Sequence, residues 1–158
     1  MTEQTTDQTQ LLVDQAEIRR IVDGIDDAVD AKDWELCRSY FTDEIYVDFT
    51  SLAGGSPGSM AADDLVGAWN TNLYAAKGSF HMRTNHRIAA EGDRAEVVSK
   101  GYALNILQRN TGSDLWEVWG IYTHTLERTA QGWKCSGMSL AVTHARGNEK
   151  VREFVPEQ

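Results

Sequence analysis

"FHMRTNHRIAAEGDRAEVV", residues 80–98, decides the fold. Apolar and polar residues alternate through Phe80–Ala90, "EGDR" supplies turn chemistry, and a second alternating run begins at Ala95. The same period of two continues through Ala95–Gln108, Leu115–Arg128 and Trp133–Arg146, joined by "RNTGSD" and "TAQG". Four long strands with short connections predict an antiparallel meander. Strands of this length must twist and curl around whatever packs against them.

Upstream of residue 80 the period changes. Leu11, Leu12, Ile18, Ile21, Val22, Ile25, Ala28 and Val29 recur at helical spacing from Thr9 to about Ala31. Asp33 is placed to cap a short second helix. "EIYVDFT" (44–50) reads as a strand and "SLAGGSPGS" (51–59) as a loop. Ser59 is then the expected cap of a third helix that runs to about Ala76 and is closed by Gly78. Helices first and a curled antiparallel sheet afterwards is an α+β arrangement, a cone-shaped sheet packed on N-terminal helices. Its open mouth would be a small-molecule pocket. The expected limits are a disordered tail over 1–8, one domain over 9–147 and a C-terminal tail over 148–158.

Composition narrows the function. The chain has 158 residues and a net charge of −9, with 15 scattered Lys and Arg. Nucleic acid and anionic membrane surfaces both need clustered positive charge, so neither is an expected partner. No apolar run approaches the ~18 residues of a membrane span, and the polar start does not resemble a signal peptide. Cys37 and Cys135 are far apart with no CxxC pattern, which predicts reduced thiols and a cytoplasmic location.

His81 and His86 are five positions apart. On a regular strand that odd spacing puts them on opposite faces, so they should not share a metal or a substrate atom. No metal site is expected. Phe80, Met82, Thr84, His86 and Ile88 make the more apolar face, while His81, Arg83, Asn85 and Arg87 make the polar one. Polarity alone therefore leaves His81 on a wet face. Asp30 falls with Asp23, Asp26 and Asp27 opposite the apolar stripe of the first helix, the look of a solvated acidic face.

"AVDAKDWELCRSYFTDE" (28–44), "FHMRTNHRI" (80–88) and "WEVWGIYTHTLERTAQGWK" (116–134), in this order and spacing, resemble the SnoaL-like branch of the nuclear-transport-factor-2-like superfamily. That resemblance implies a cystatin-like α+β barrel over most of the chain. Within it the pattern is similar to scytalone dehydratase, hexachlorocyclohexane dehydrochlorinase and bile-acid 7α-dehydratase. In these lyases an Asp near the end of the first helix and a His on the strand after the third helix work together; the matching positions are Asp30 and His81. The places of further helper groups hold Ile25 and Val29 here.

The resemblance implies a cofactor-independent lyase or isomerase acting on a small apolar cyclic substrate such as a polyketide, steroid or terpenoid. A non-catalytic small-ligand-binding or assembly module of the same fold is the alternative. His124, on the face of Trp116, Val118, Tyr122 and Leu126, is a candidate second acid or base, or else a core histidine. Trp34, Tyr46, Trp69, Tyr102 and Trp119 are candidate pocket residues. Apolar residues on both faces of 95–108 and 115–128 predict that the outer face is covered by a second copy, in a homodimer or homotrimer.

Overall fold

The computed structural model describes residues 2–157, with side chains described from residue 7 onward. Helix α1 (Thr2–Ala31) buries Ile18, Ile21, Val22, Ile25, Ala28 and Val29, the stripe predicted from the spacing. Its helical start at Thr2 replaces the tail expected over 1–8, of which residue 1 lies outside the described residues. α1 ends where Lys32 adopts a left-handed φ of 56° and the Asp33 N–H reaches back to the Ala28 carbonyl, a Schellman-type stop. Asp33 then caps α2 (Trp34–Ser39) by accepting from the Leu36 N–H at 3.0 Å.

Strand β1 (Phe41–Asp48) starts earlier than the 44–50 expected. The segment read as loop holds a short helix, α3 (Thr50–Ala53), and a short strand, β2 (Gly58–Ala61). Ser59 is therefore not a helix cap: it lies in β2 opposite Tyr46. Helix α4 (Ala62–Asn72) follows directly, with no side-chain cap, and stops short of residue 76. Gly78, expected to close that helix, opens the next strand.

The remaining strands are β3 (Gly78–Glu91), β4 (Arg94–Ile106), β5 (Leu115–Thr129) and β6 (Gly132–Gly147). The sheet order is β2-β1-β6-β5-β4-β3. All pairings are antiparallel except β1 with β6, which is parallel. The four-stranded meander is antiparallel as expected, and β1 joins it in parallel through β6. α4 carries the chain from one sheet border to the other, and the meander returns until β6 meets β1 from its far side.

On β4 and β5 the inward residues Val97, Ala103, Trp116, Val118, Tyr122 and Leu126 are buried. Covering each large side chain contributes roughly 1.5–3 kcal/mol. Gly101 leaves the space that the Tyr122 ring occupies; a Cβ there would overlap it. The expected C-terminal tail contains one more helix, α5 (Glu149–Glu153), whose Val151 is fully buried. Buried Lys77 anchors that helix, donating from Nζ to the Arg152 carbonyl at 3.0 Å. No described helix is long and apolar enough to cross a membrane.

Candidate active site

Three basic side chains of β3 meet three carboxylates of α1. His81 Nδ1 is 2.7 Å from Asp30 Oδ1. Arg83 grips Asp26 with two nitrogens, Nη2 to Oδ1 at 2.8 Å and Nε to Oδ2 at 2.7 Å. His86 Nε2 is 2.8 Å from Asp23 Oδ1. On the helix these acids follow one another at i, i+3 and i+7, one face by geometry. Asp26 is buried, Asp23 and Asp30 are half-buried, and only Asp27 of the four is exposed. The solvated acidic face expected of this helix is thus its contact with the sheet.

The parity reading of the histidines is corrected as well. Asn85 adopts a left-handed φ of 55°, and the β3–β4 register shifts between Thr84 and Arg87. This bulge brings His81, Arg83 and His86 to the same helix. Phe80 and Met82, expected on the inward apolar face, point to the outside of the sheet and are each 51% exposed. His81 and His86 still do not form a pair, because each bonds a different carboxylate. Among the described residues no cluster of three or more His, Cys, Asp or Glu could hold a metal ion.

Asp30 is held by more than the imidazole. Its Oδ2 accepts from the His81 backbone N–H at 2.6 Å, and its Oδ1 accepts from the Ser79 hydroxyl at 2.7 Å. Burial works to raise its pKa, but the bonds and charge from His81 and the Ser79 hydroxyl outweigh burial and hold it below the usual carboxylate range. An ionised carboxylate only accepts, so in the neutral form of the His81 ring Nδ1 carries the proton and the lone pair is left on Nε2. Nε2 has no partner among the described residues.

His81 forms part of the wall of a cavity of about 440 Å³ inside the cone. Phe49, Leu52, Trp69, Trp116, Val118 and Leu140 make much of that wall apolar. Arg83 lies flat on Tyr122, its guanidinium carbon 3.3 Å from the ring centroid, and both line the cavity with Asp26. Arg152 and Glu153 of α5 lie on its rim, so the C-terminal segment helps enclose it.

Of the five aromatics expected in the pocket, Trp69 alone lines this cavity. Trp34 is half-buried against the core, and Tyr46 is 49% exposed on β1. Tyr102 and Trp119 pack on each other on the outer face, ring centroids 5.1 Å apart. They fall there because Ala103 and Val118, their neighbours in sequence, take the inward positions. His124 is fully buried beside Tyr122 and does not line the cavity. Burial first, then the charges of Arg83 and His86, push its pKa well below the ordinary histidine value, so it is a neutral core residue. Asp26 and Asn105, both in the cavity wall, were not singled out from sequence. Asn105 had a legible signal: it is polar at the inward parity of β4, between Ala103 and Leu107.

The SnoaL-like domain family matches residues 10–139. No curated protein matches the chain in sequence. A solved protein of Kribbella flavida is 28% identical, with a TM-score of 0.86 over 91% of this chain and 99% of that one. A scytalone dehydratase-like protein of Novosphingobium aromaticivorans is 17% identical, with a TM-score of 0.76 over 89% and 91%. A hexachlorocyclohexane dehydrochlorinase of Novosphingobium barchaimii is 19% identical, with a TM-score of 0.70 over 95% and 99%.

Proposed function

Because the chain belongs to the SnoaL-like domain family, we propose that it is a cofactor-independent lyase or isomerase whose base is His81 and whose orienting acid is Asp30. The observation that carries this reading is the 2.7 Å contact between His81 Nδ1 and Asp30 in the wall of an apolar cavity. Nε2 removes a proton from a substrate carbon. The C–H electron pair forms the new double bond, and a β-hydroxyl or halide leaves with its own bonding pair. Asp30 stabilises the imidazolium, which then returns its proton to the departing hydroxide as water. Without a leaving group, return of the proton to another carbon moves a double bond instead.

The cavity volume and apolar wall suit a small cyclic substrate such as a polyketide, steroid or terpenoid. The proposal includes a homodimer or homotrimer, supported by Phe80, Met82, Ile106 and Leu115 on the outer face of the sheet. It also includes a reducing, cytoplasm-like compartment, supported by two buried free thiols, Cys37 and Cys135.

The test is a panel of cyclic β-hydroxy ketones, with enone formation followed by absorbance and α-proton exchange in D2O followed by NMR. Turnover by the native protein should fall about 10²–10⁴-fold in His81→Ala. Equal rates in the two proteins would overturn the assignment of the base. Binding without turnover or exchange across the panel would favour the ligand-binding module.

A further inference from the structure

Most polar side chains in the cavity wall have a neighbour to bond or pair with, although Arg83 Nη1 is buried without a hydrogen-bond partner among the described residues. Arg83 and Asp26 hold each other. Asn72 donates to the Arg152 carbonyl and accepts from Lys77. Arg152 pairs with Glu149 and Glu153. Of the two side-chain amides in that wall, Asn105 is the less bonded. It is buried, it lines the cavity, and its side-chain amide makes one long bond, 3.4 Å from Nδ2 to the Leu104 carbonyl. That length lies beyond the ordinary range for an N–H···O bond. An amide in a cavity wall with so little to bond within the protein has hydrogen-bonding capacity left for a ligand.

Its place relative to the base is equally specific. In the β3–β4 register Ala103 lies opposite His81, and Asn105 lies opposite Ser79, two residues along on the same face. Asn105 is thus the diagonal neighbour of His81; such residues are roughly 7–8 Å apart, with their Cβ atoms somewhat closer. The small Ala103 side chain leaves the space between them open. That span accommodates a C–H held at one end and, one carbon along, an oxygen held at the other.

We infer that Asn105 reads the carbonyl oxygen of a cyclic ketone whose α-carbon rests against His81; this builds on the proposed function of the same site. Imidazole is a weak base, and it removes a carbon-bound proton only where the resulting negative charge has somewhere to go. As Nε2 takes the α-proton, the C–H pair becomes the C=C bond of an enolate and the carbonyl π pair moves onto oxygen. The Asn105 N–H bonds that oxygen as its charge grows. When the carbonyl re-forms, the enolate pair makes the new double bond and the β-group leaves. A hydrocarbon ring in the same place closes an apolar surface over the amide and leaves it unsatisfied.

The experiment compares 2-tetralone with tetralin, two bicyclic probes that differ in one carbonyl, by calorimetric titration of the full chain. The native protein should bind the ketone about tenfold more tightly, the worth of one well-placed hydrogen bond. Asn105→Leu should bring the ratio close to one by weakening the ketone and strengthening tetralin. Asn105→Asp, which retains an acceptor without an N–H donor, should reject the ketone and prefer 2-tetralol. His81→Ala should retain the ketone preference. A native protein that binds neither probe or both equally, or an Asn105→Leu variant with the preference intact, overturns the role of Asn105. Loss of the His81 mechanism, by contrast, would show in turnover and leave this binding ratio in place.

Discussion

His81 is tied to Asp30 twice, by its backbone N–H to one carboxylate oxygen and by its ring Nδ1 to the other, at 2.6 and 2.7 Å. Strand and side chain are therefore positioned by one acid, and that acid is placed by the last turn of α1.

Asp30→Asn should lower turnover about 10²–10⁴-fold while retaining the fold, because an amide does not hold Nδ1 protonated or stabilise an imidazolium. The pH dependence of stability carries a second signature. The Asp30 pKa is depressed in the folded protein. Its stabilising contribution is therefore complete above the unfolded value of about 4 and is lost as pH falls through the folded value. Urea midpoints across the acid range should show a smaller loss for Asp30→Asn than for the native protein.

The Arg83–Asp26 pair is buried on both sides, with side chains 3% and 9% exposed. Removing one partner strands a charge, so Asp26→Asn or Arg83→Met should each cost about 3–5 kcal/mol in chemical denaturation. The double variant Asp26→Leu/Arg83→Met should be less destabilised than either single one, because no charge is left behind.

Asn85 holds the bulge in a left-handed conformation. Asn85→Ala should cost about 1 kcal/mol, since alanine enters the left-handed region less readily than asparagine. Asn85→Gly should be neutral or slightly stabilising in thermal unfolding. Deleting residue 85 should leave both histidines facing the helix, because it removes the one extra residue of the bulge and brings His81 and His86 to an even spacing on a regular strand.

Phe80 and Met82 stand half exposed on the outer face of β3. If a second copy covers that face, Met82→Glu should shift the sedimentation coefficient to that of a monomer and leave the circular dichroism spectrum intact. An unchanged coefficient would remove β3 from the interface.

The elements with long, regular periodicity were the legible ones. Four strands of the meander, the buried stripe of α1 and the Asp33 cap all follow from local chemistry. β2 escaped because four residues in a Gly/Ser-rich stretch carry no alternation to detect, and because its pairing with β1 is a tertiary event. At the site, periodicity pointed away from the observed contacts. It put His81 on a wet face and Asp30 in solvent because it treats each element alone, whereas each is the other's polar partner. Resemblance, rather than period, joined those two residues. Parity also carried a usable hint in the polar Asn105 between Ala103 and Leu107, and in Arg83 two residues from His81.

β3 stands at the border of the sheet, where unpaired backbone groups invite a strand from another molecule. The His81 N–H is such a group, and Asp30 occupies it. The carboxylate that orients the proposed base therefore also shields the sheet edge. Variants at Asp30 uncouple chemistry from solubility only if the substitute still accepts that hydrogen bond.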